Sequence, residues 1–395
     1  MKPNMLLSGF FLLSSILYAH SALSSSLENE TSIAEFKSID NNFTMRTSVY
    51  LQARMEYGDL IHGENAKITG SDFDVYFRKA SIGFYGNAFF PKLKYGLTLS
   101  GDETPQDKVY PSYSEENGVA LNGTYIAYQF SDWFTLRFGK EKLPYSRIYL
   151  VSSTRQAFSE RPYYMFSWAE VLRTYAHTHV SVHGKGQNLS YSFSTGKAWR
   201  EGDSLYDNAS VTKSGPQFTL RAAWSPTGWQ EEKISDSHLG QGRHFSLGVY
   251  GASQEALKYE FNDQEFNEHR YMYGIDSSFH IDNLNIQAEV NGWKVDTSEQ
   301  ARAKEALGWI FQTGYYIPIL KAEPAIRYEE FDLNRDLNDA DVRRLTLGVN
   351  TYFHNHNLKL ASNIEYSKFG THALLLKPDD DDKSFAVRIT LQFIL

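Results

Sequence analysis

Between Phe138 and Phe166 the chain reads FGKEKLPYSRIYLVSSTRQAFSERPYYMF, with Lys140, Lys142, Arg147, Arg155 and Arg161 set among serines and aromatics. The whole 395-residue chain has a formal net charge of -8, so this gathering of cations runs against its composition. Cationic side chains beside hydroxyls suit oxyanion recognition, because arginine stays charged at any pH and offers forked donors to phosphate or carboxylate. A nucleic-acid site, a phosphate site and a solvated loop could each use such a stretch. The elements that position it decide among them.

The chain begins MKPNMLLSGFFLLSSILYAHSALSSS, with one lysine, an apolar run from Met5 to Tyr18 and small residues after it. This layout predicts a cleaved signal peptide over residues 1–21, followed by a short periplasmic segment over 22–44 and a barrel over 45–395. No later apolar run approaches the ~18 residues of a transmembrane helix. The sequence has no cysteine, which excludes disulfides and thiolate metal sites. Mean hydropathy is -0.45, yet 26 Tyr, 26 Phe and 7 Trp fall in short alternating segments. A transmembrane β-barrel combines these traits, since an apolar outer face and a polar lumen average out.

The alternation is clearest at the end of the sequence. In FAVRITLQFIL, Phe385, Val387, Ile389, Leu391, Phe393 and Leu395 share one face, while Ala386, Arg388, Thr390 and Gln392 share the other. About sixteen segments repeat this design, which predicts an all-β fold: a transmembrane antiparallel β-barrel with a long third loop folded into the pore. Short and long connections alternate, as periplasmic turns and external loops do, with Gln254–His269 among the external loops. Ser225–Gly242 is the exception, a long connection where a short turn is expected, and it predicts a local periplasmic excursion. A soluble sandwich would have to bury Arg, Lys, Glu, Asn and Gln on nearly every strand, at a large desolvation cost.

Several strings, in order, resemble the phosphate-selective porins (the porin O and P family) of bacterial outer membranes. They are FRKASIGFYG (77–86), TYIAYQFSDWFTLRFGKEKLPYS (124–146), SSTRQAFSERP (152–162), EPAIRYEEFD (323–332), TLGVNTYFHNHNLKL (346–360) and the terminal strand. The resemblance implies a homotrimer of sixteen-stranded barrels in outer-membrane lipid, each pore passing small anionic solutes. By motif position it sets Arg78 and Lys79 where the family has paired arginines. Lys142, Ser152 and Ser153 fall where the family has its lysine and serine anion contacts. The chain departs from the pattern with Lys79 in place of an arginine, Leu395 in place of a terminal aromatic, and acidic outer loops such as Asp379–Asp382.

Alternation alone turns Arg46, Arg54, Arg78, Lys94, Arg137, Arg221, Arg327, Arg344 and Arg388 inward. It also turns in Glu56, Asp74, Asp276, Glu289, Glu323, Glu329 and Glu365, so each arginine either meets solute or pairs across the wall. The loop over 141–170 is too long to be idle. Folded inward, its Lys142, Arg147, Arg155 and Arg161, with Arg78, Lys79 and Arg137, would form an anion-preferring constriction. A general or cation-leaning porin, and a non-conducting surface or adhesin barrel, remain open as alternatives. His177, His179 and His183 share a strand face but have no carboxylate nearby in sequence, and the acidic run lacks the spacing of a calcium loop. No nucleophile elbow, zinc-protease helix or phosphate loop is present, so neither an enzyme nor a cofactor is expected. The acidic chain also argues against nucleic acid.

Overall fold

The computed structural model describes residues 35–38, 42–59, 72–101, 120–121, 123–162, 172, 177–206, 209–231, 233–297, 304–373 and 382–395. The leader expected over 1–21 and most of Asp379–Asp382 lie outside them. Among the described residues, sixteen antiparallel strands close into one barrel. The first eight are β1 (Thr44–Gly58), β2 (Asp72–Ala88), β3 (Phe90–Gly101), β4 (Thr124–Ser131), β5 (Phe134–Glu141), β6 (His177–Lys185), β7 (Leu189–Gly196) and β8 (Gln217–Trp224). Then come β9 (Arg243–Phe261), β10 (Gln264–Ile281), β11 (Leu284–Thr297), β12 (Lys304–Tyr315), β13 (Ala322–Asp332), β14 (Asp341–His354), β15 (Leu358–Phe369) and β16 (Lys383–Ile394).

Each strand pairs with the next, and β16 returns to β1 from Tyr50↔Ile394 to Gly58↔Ala386. Closure leaves the ring without a free edge, which is what an all-β membrane span requires. At the seam Gly58 has φ +128°, and a Cβ there would lie 2.1 Å from the Phe385 carbonyl oxygen. That position admits no side chain.

The period-two pattern sets the two faces. On β1, Tyr50, Gln52, Arg54 and Glu56 are buried while Met55 and Tyr57 are exposed; on β16, Arg388, Thr390 and Gln392 are buried while Phe385, Leu391 and Phe393 are exposed. Apolar side chains thus clothe the outside and polar ones fill the interior, the reverse of a soluble core.

Three features differ from the sequence expectation. Gln254–His269 is a continuous hairpin: β9 and β10 pair up to Phe261↔Gln264, with one register shift between Gln254 and Leu257. Asn262 and Asp263 both adopt positive φ in its two-residue turn. The pairing also gains the short strand Ala209–Lys213, laid against residues 258–261. Ser225–Gly242 is no excursion away from the barrel, for Ser235, Asp236 and Ser237 are buried within it. Finally, β2 carries a bulge that bears directly on the site.

Candidate functional site

The third loop leaves β5 at Glu141 and crosses the lumen. Its first half holds a single helical turn, α1 (Arg147–Leu150), whose start is capped by Ser146 Oγ accepting from Tyr149 N at 3.2 Å. Leu143, Tyr145, Ile148 and Tyr149 pack on Tyr250, Met272, Trp293, Ile310 and Phe331 from the β9–β13 wall. Ser146 Oγ donates to Glu289 Oε2 at 2.9 Å. Apolar packing therefore fixes one half of the loop.

Polar side chains hold the described residues that follow, 154–160, mostly through the loop's main chain. Asn350 donates to Ala157 O at 2.7 Å, Arg327 to Glu160 O at 2.9 Å, Lys359 to Gln156 O at 2.8 Å and Gln392 to Thr154 O at 3.0 Å. Asn363 Oδ1 accepts from Ser159 N at 2.6 Å. Arg54 donates to Ser159 O at 2.6 Å and pairs with Glu160 and Glu56. The loop is thereby tied to β1 and β13–β16, and Arg137, Thr98 and Ser192 on the opposite wall keep partial exposure.

The cations gather at this loop. Lys142 Nζ donates to the carbonyls of Tyr149 and Val151 at 2.7 and 3.0 Å, and Arg161 Nη2 donates to the same two at 3.2 and 2.7 Å. Burial, with Arg161, Lys79 and Arg78 alongside, lowers the Lys142 pKa well below the ordinary lysine value. Arg78 and Lys79 reach the group from β2. Neighbours along a strand normally face opposite ways, but here Gln52 pairs with Lys79 and Ala53 with Phe77, leaving Arg78 as the extra residue of a bulge. Arg78 Nη1 meets Gln52 Oε1 at 2.9 Å while Lys79 Nζ lies 5.7 Å from the Tyr50 ring centre, so both point inward. Tyr50 donates to Ser153 Oγ at 3.3 Å, and the exposed Ser152 lies beside it.

The other candidates lie apart. Arg54 is fully buried in its ion pairs, and Arg147 is bound through both Nη atoms to Glu231. Arg137 pairs with Glu141 at 3.0 Å and lies 4.3 Å over the Tyr125 ring. Arg46 pairs with Glu35 at the barrel end, its side chain 62% exposed. Arg155 faces Lys359 and His356 rather than the cluster. Three further inward arginines are likewise paired: Arg221 with Asp276, Arg344 with Glu365, and Arg388 with both Glu56 and Glu365.

Sequence reasoning missed Glu160. Its carboxylate pairs with Arg54 and approaches Arg78 Nε at 3.4 Å. Burial opposes its charge, but Arg54, Arg78 and Arg388 outweigh burial and hold its carboxyl far below the usual range. It is the acid set against the cation group, and being on the loop itself it carried no strand periodicity that could have marked it. The second omission is the segment between β8 and β9. Asp236 accepts from Ala157 N at 3.1 Å and its own N donates to Arg155 O at 3.1 Å, so this segment meets the third loop inside the barrel.

A closed sixteen-stranded ring with an apolar exterior, a polar lumen and an inserted third loop defines an outer-membrane porin. The chain belongs to the phosphate-selective porin O and P family, whose sequence model matches residues 48–395. It is 30% identical to an uncharacterised protein of Aquifex aeolicus strain VF5, with 81% of each chain covered. Its fold is similar to the outer-membrane channel DcaP of Acinetobacter baumannii (TM-score 0.60, 13% identity, 91% of this chain and 99% of that one). It is also similar to in-vitro folded OmpT of Vibrio cholerae in its trimer form (TM-score 0.56, 10% identity, 89% and 99%). The protein is an outer-membrane channel of the passive-diffusion type.

Proposed function

We propose that the channel prefers anions, phosphate or related oxyanions among them, and passes them between the third loop and the β2–β7 wall. The observation that carries this reading is the convergence of Arg78, Lys79, Lys142 and Arg161, with Glu160 meeting the group at Arg78. Arginine forks suit oxyanions, and charges lining a narrow path give ions successive weak sites from which they can leave. The polypeptide supplies a path for transport and no bond-breaking chemistry. It reaches the outer membrane behind a leader over 1–21 and assembles as a homotrimer in lipid, as family membership suggests. The net charge of -8 favours the rival, a cation-leaning pore whose acidic loops set selectivity at the mouth.

Reversal potentials across a planar bilayer under a salt gradient test the reading, together with chloride current measured as phosphate is added. Anion preference with phosphate block is expected. Cation preference would sink the proposal, and an absence of conductance would favour a surface barrel.

A pH dependence follows from Lys142. Its lowered pKa means the ammonium is charged below that value and neutral above it. Anion preference therefore weakens as pH rises through a range short of the ordinary lysine value, while the arginines stay charged. The Lys142→Met channel, lacking that ammonium at every pH, loses this alkaline step in the reversal potential.

A further inference from the structure

Segment 225–242 connects β8 to β9 at the barrel end that carries the short turns, the periplasmic end in barrels of this type. At the rim, Asn188 donates to Ser225 O and Gln230 donates to Gly186 O, each at 3.0 Å, which ties its first residues to the β6–β7 turn. It then runs inward to a tight turn at Ser235-Asp236-Ser237, where Ser235 Oγ accepts from Ser237 N at 3.3 Å. Positive φ at Leu239, Gly240 and Gly242 brings it back. The tip makes contacts far round the ring. His356 Nε2 in the β14–β15 turn donates to Ser237 O at 3.2 Å, and Gln287 on β11 donates to Asp236 Oδ1 at 2.9 Å. Six strands, β9 to β14, separate the root of the segment from that turn in a ring of sixteen. A chain that joins two such points crosses the lumen instead of following its rim.

The two sides of this crossing differ. Sixteen strands leave a water-filled channel unless something occupies it. Behind the tip, the inward side chains Asn285, Gln287, Glu323 and Tyr352 of β11, β13 and β14 are all buried. Tyr352 donates to Glu323 Oε2 at 2.6 Å and Asn285 to Oε1 at 2.5 Å, so the polar groups there are met by protein. Toward the third loop, Arg147 donates to Ser235 O at 2.9 Å and binds Glu231 through both Nη atoms, while Asp236 N donates to Arg155 O at 3.1 Å. On the remaining side, Thr98, Arg137 and Ser192 of β3, β5 and β7 keep partial exposure. The lumen is filled on one side of the segment and open on the other.

We propose that segment 225–242 is a fixed strut across the lumen that sets the size limit of the channel, filling the β11–β14 side beneath the third loop and confining solutes to the β2–β7 side. A third loop alone could not do this, because its 154–160 stretch is hung from side chains of β1 and β13–β16 and needs support from below. The strut supplies that support at two points, through Ser235 under Arg147 and through Asp236 under Arg155 and Ala157. Its own length is accounted for by the same role, since a long irregular connection in a compact fold generally has a task. The solutes admitted are those that fit half of the lumen, whatever their charge.

The inference rests on the channel reading but not on anion preference, so it is tested by size rather than by selectivity. A channel shortened by joining Gly228 directly to Gly242 is compared with wild type in a planar bilayer, in symmetric potassium chloride with neutral polyethylene glycols of graded size. Single-channel conductance is expected to rise by about two-fold or more, with larger polymers entering the pore. A second measurement leaves the segment in place. Because the sequence has no cysteine, the Ser192→Cys and Asn285→Cys channels each carry one thiol, the first on the open side and the second behind the strut. A water-soluble thiol reagent should modify the first about ten-fold or more faster than the second, since only an accessible thiolate reacts. Equal rates overturn the proposal, as do an unchanged conductance and polymer limit in the shortened channel, or a barrel silent in both forms. Failure of the anion reading would appear instead as cation preference in the reversal potential, with these size readouts unaltered.

Discussion

Replacing Lys79 by Glu lowers the anion-to-cation permeability ratio by about ten-fold or more, measured as a shift of the reversal potential toward the cation value. The exchange moves the wall by two unit charges beside Arg78, Lys142 and Arg161. At an effective dielectric of ~20, one charge ~7 Å from an ion changes its energy by roughly 2 kcal/mol. Screening trims this, but a narrow path excludes much of the salt that would screen it. Arg46→Gln is the control. That guanidinium stands at the barrel end, largely exposed and paired with Glu35, so its loss leaves selectivity unchanged. Equal shifts in both variants would mean that overall charge, not the constriction, sets selectivity.

Lys79 is also where strand alternation fell short. A strict period of two turns Arg78 inward and Lys79 outward. The structure turns in both because β2 bulges, and its exposed positions change from Phe73, Val75 and Phe77 to Ile82 across the bulge. A bulge is a property of two strands in register, so one strand's sequence does not announce it. The family resemblance set the two side by side by motif position, where periodicity put them on opposite faces.

The strands themselves were legible, because a closed ring in lipid imposes the same two-sided pattern on every segment. The β9–β10 hairpin was legible in part. Tyr259 and Phe266 flank Asn262-Asp263, a pair that tolerates the positive φ such turns require, yet the charged residues around it read as a loop. The inward path of 225–242 left only its excess length as a signal. Its small polar residues Ser235, Asp236 and Ser237 suit a docked segment as well as a solvated one. Ion pairing within the site was beyond the sequence, since Arg54–Glu160 and Arg147–Glu231 join residues 106 and 84 positions apart.

The Arg54–Glu160 pair separates anchoring from electrostatics. Arg54→Met removes the donor to Ser159 O and strips Glu160 of its main partner, leaving a buried carboxylate with Arg78 at 3.4 Å and the charge of Arg388 farther off. Breaking a buried pair in this way costs about 3–5 kcal/mol, read as a lower urea midpoint for the barrel folded in lipid vesicles. The loosened loop should add open-channel noise to the current. Glu160→Gln has the opposite balance. Arg54 keeps Glu56 and its bond to Ser159 O, so the loop stays largely in place, but the cation group loses its opposing acid. Anion preference then rises above wild type, while Arg54→Met lowers stability without that gain. If the two variants behaved alike, Glu160 would serve only to hold the loop, and the charge set against Arg78 would play no part in choosing the ion.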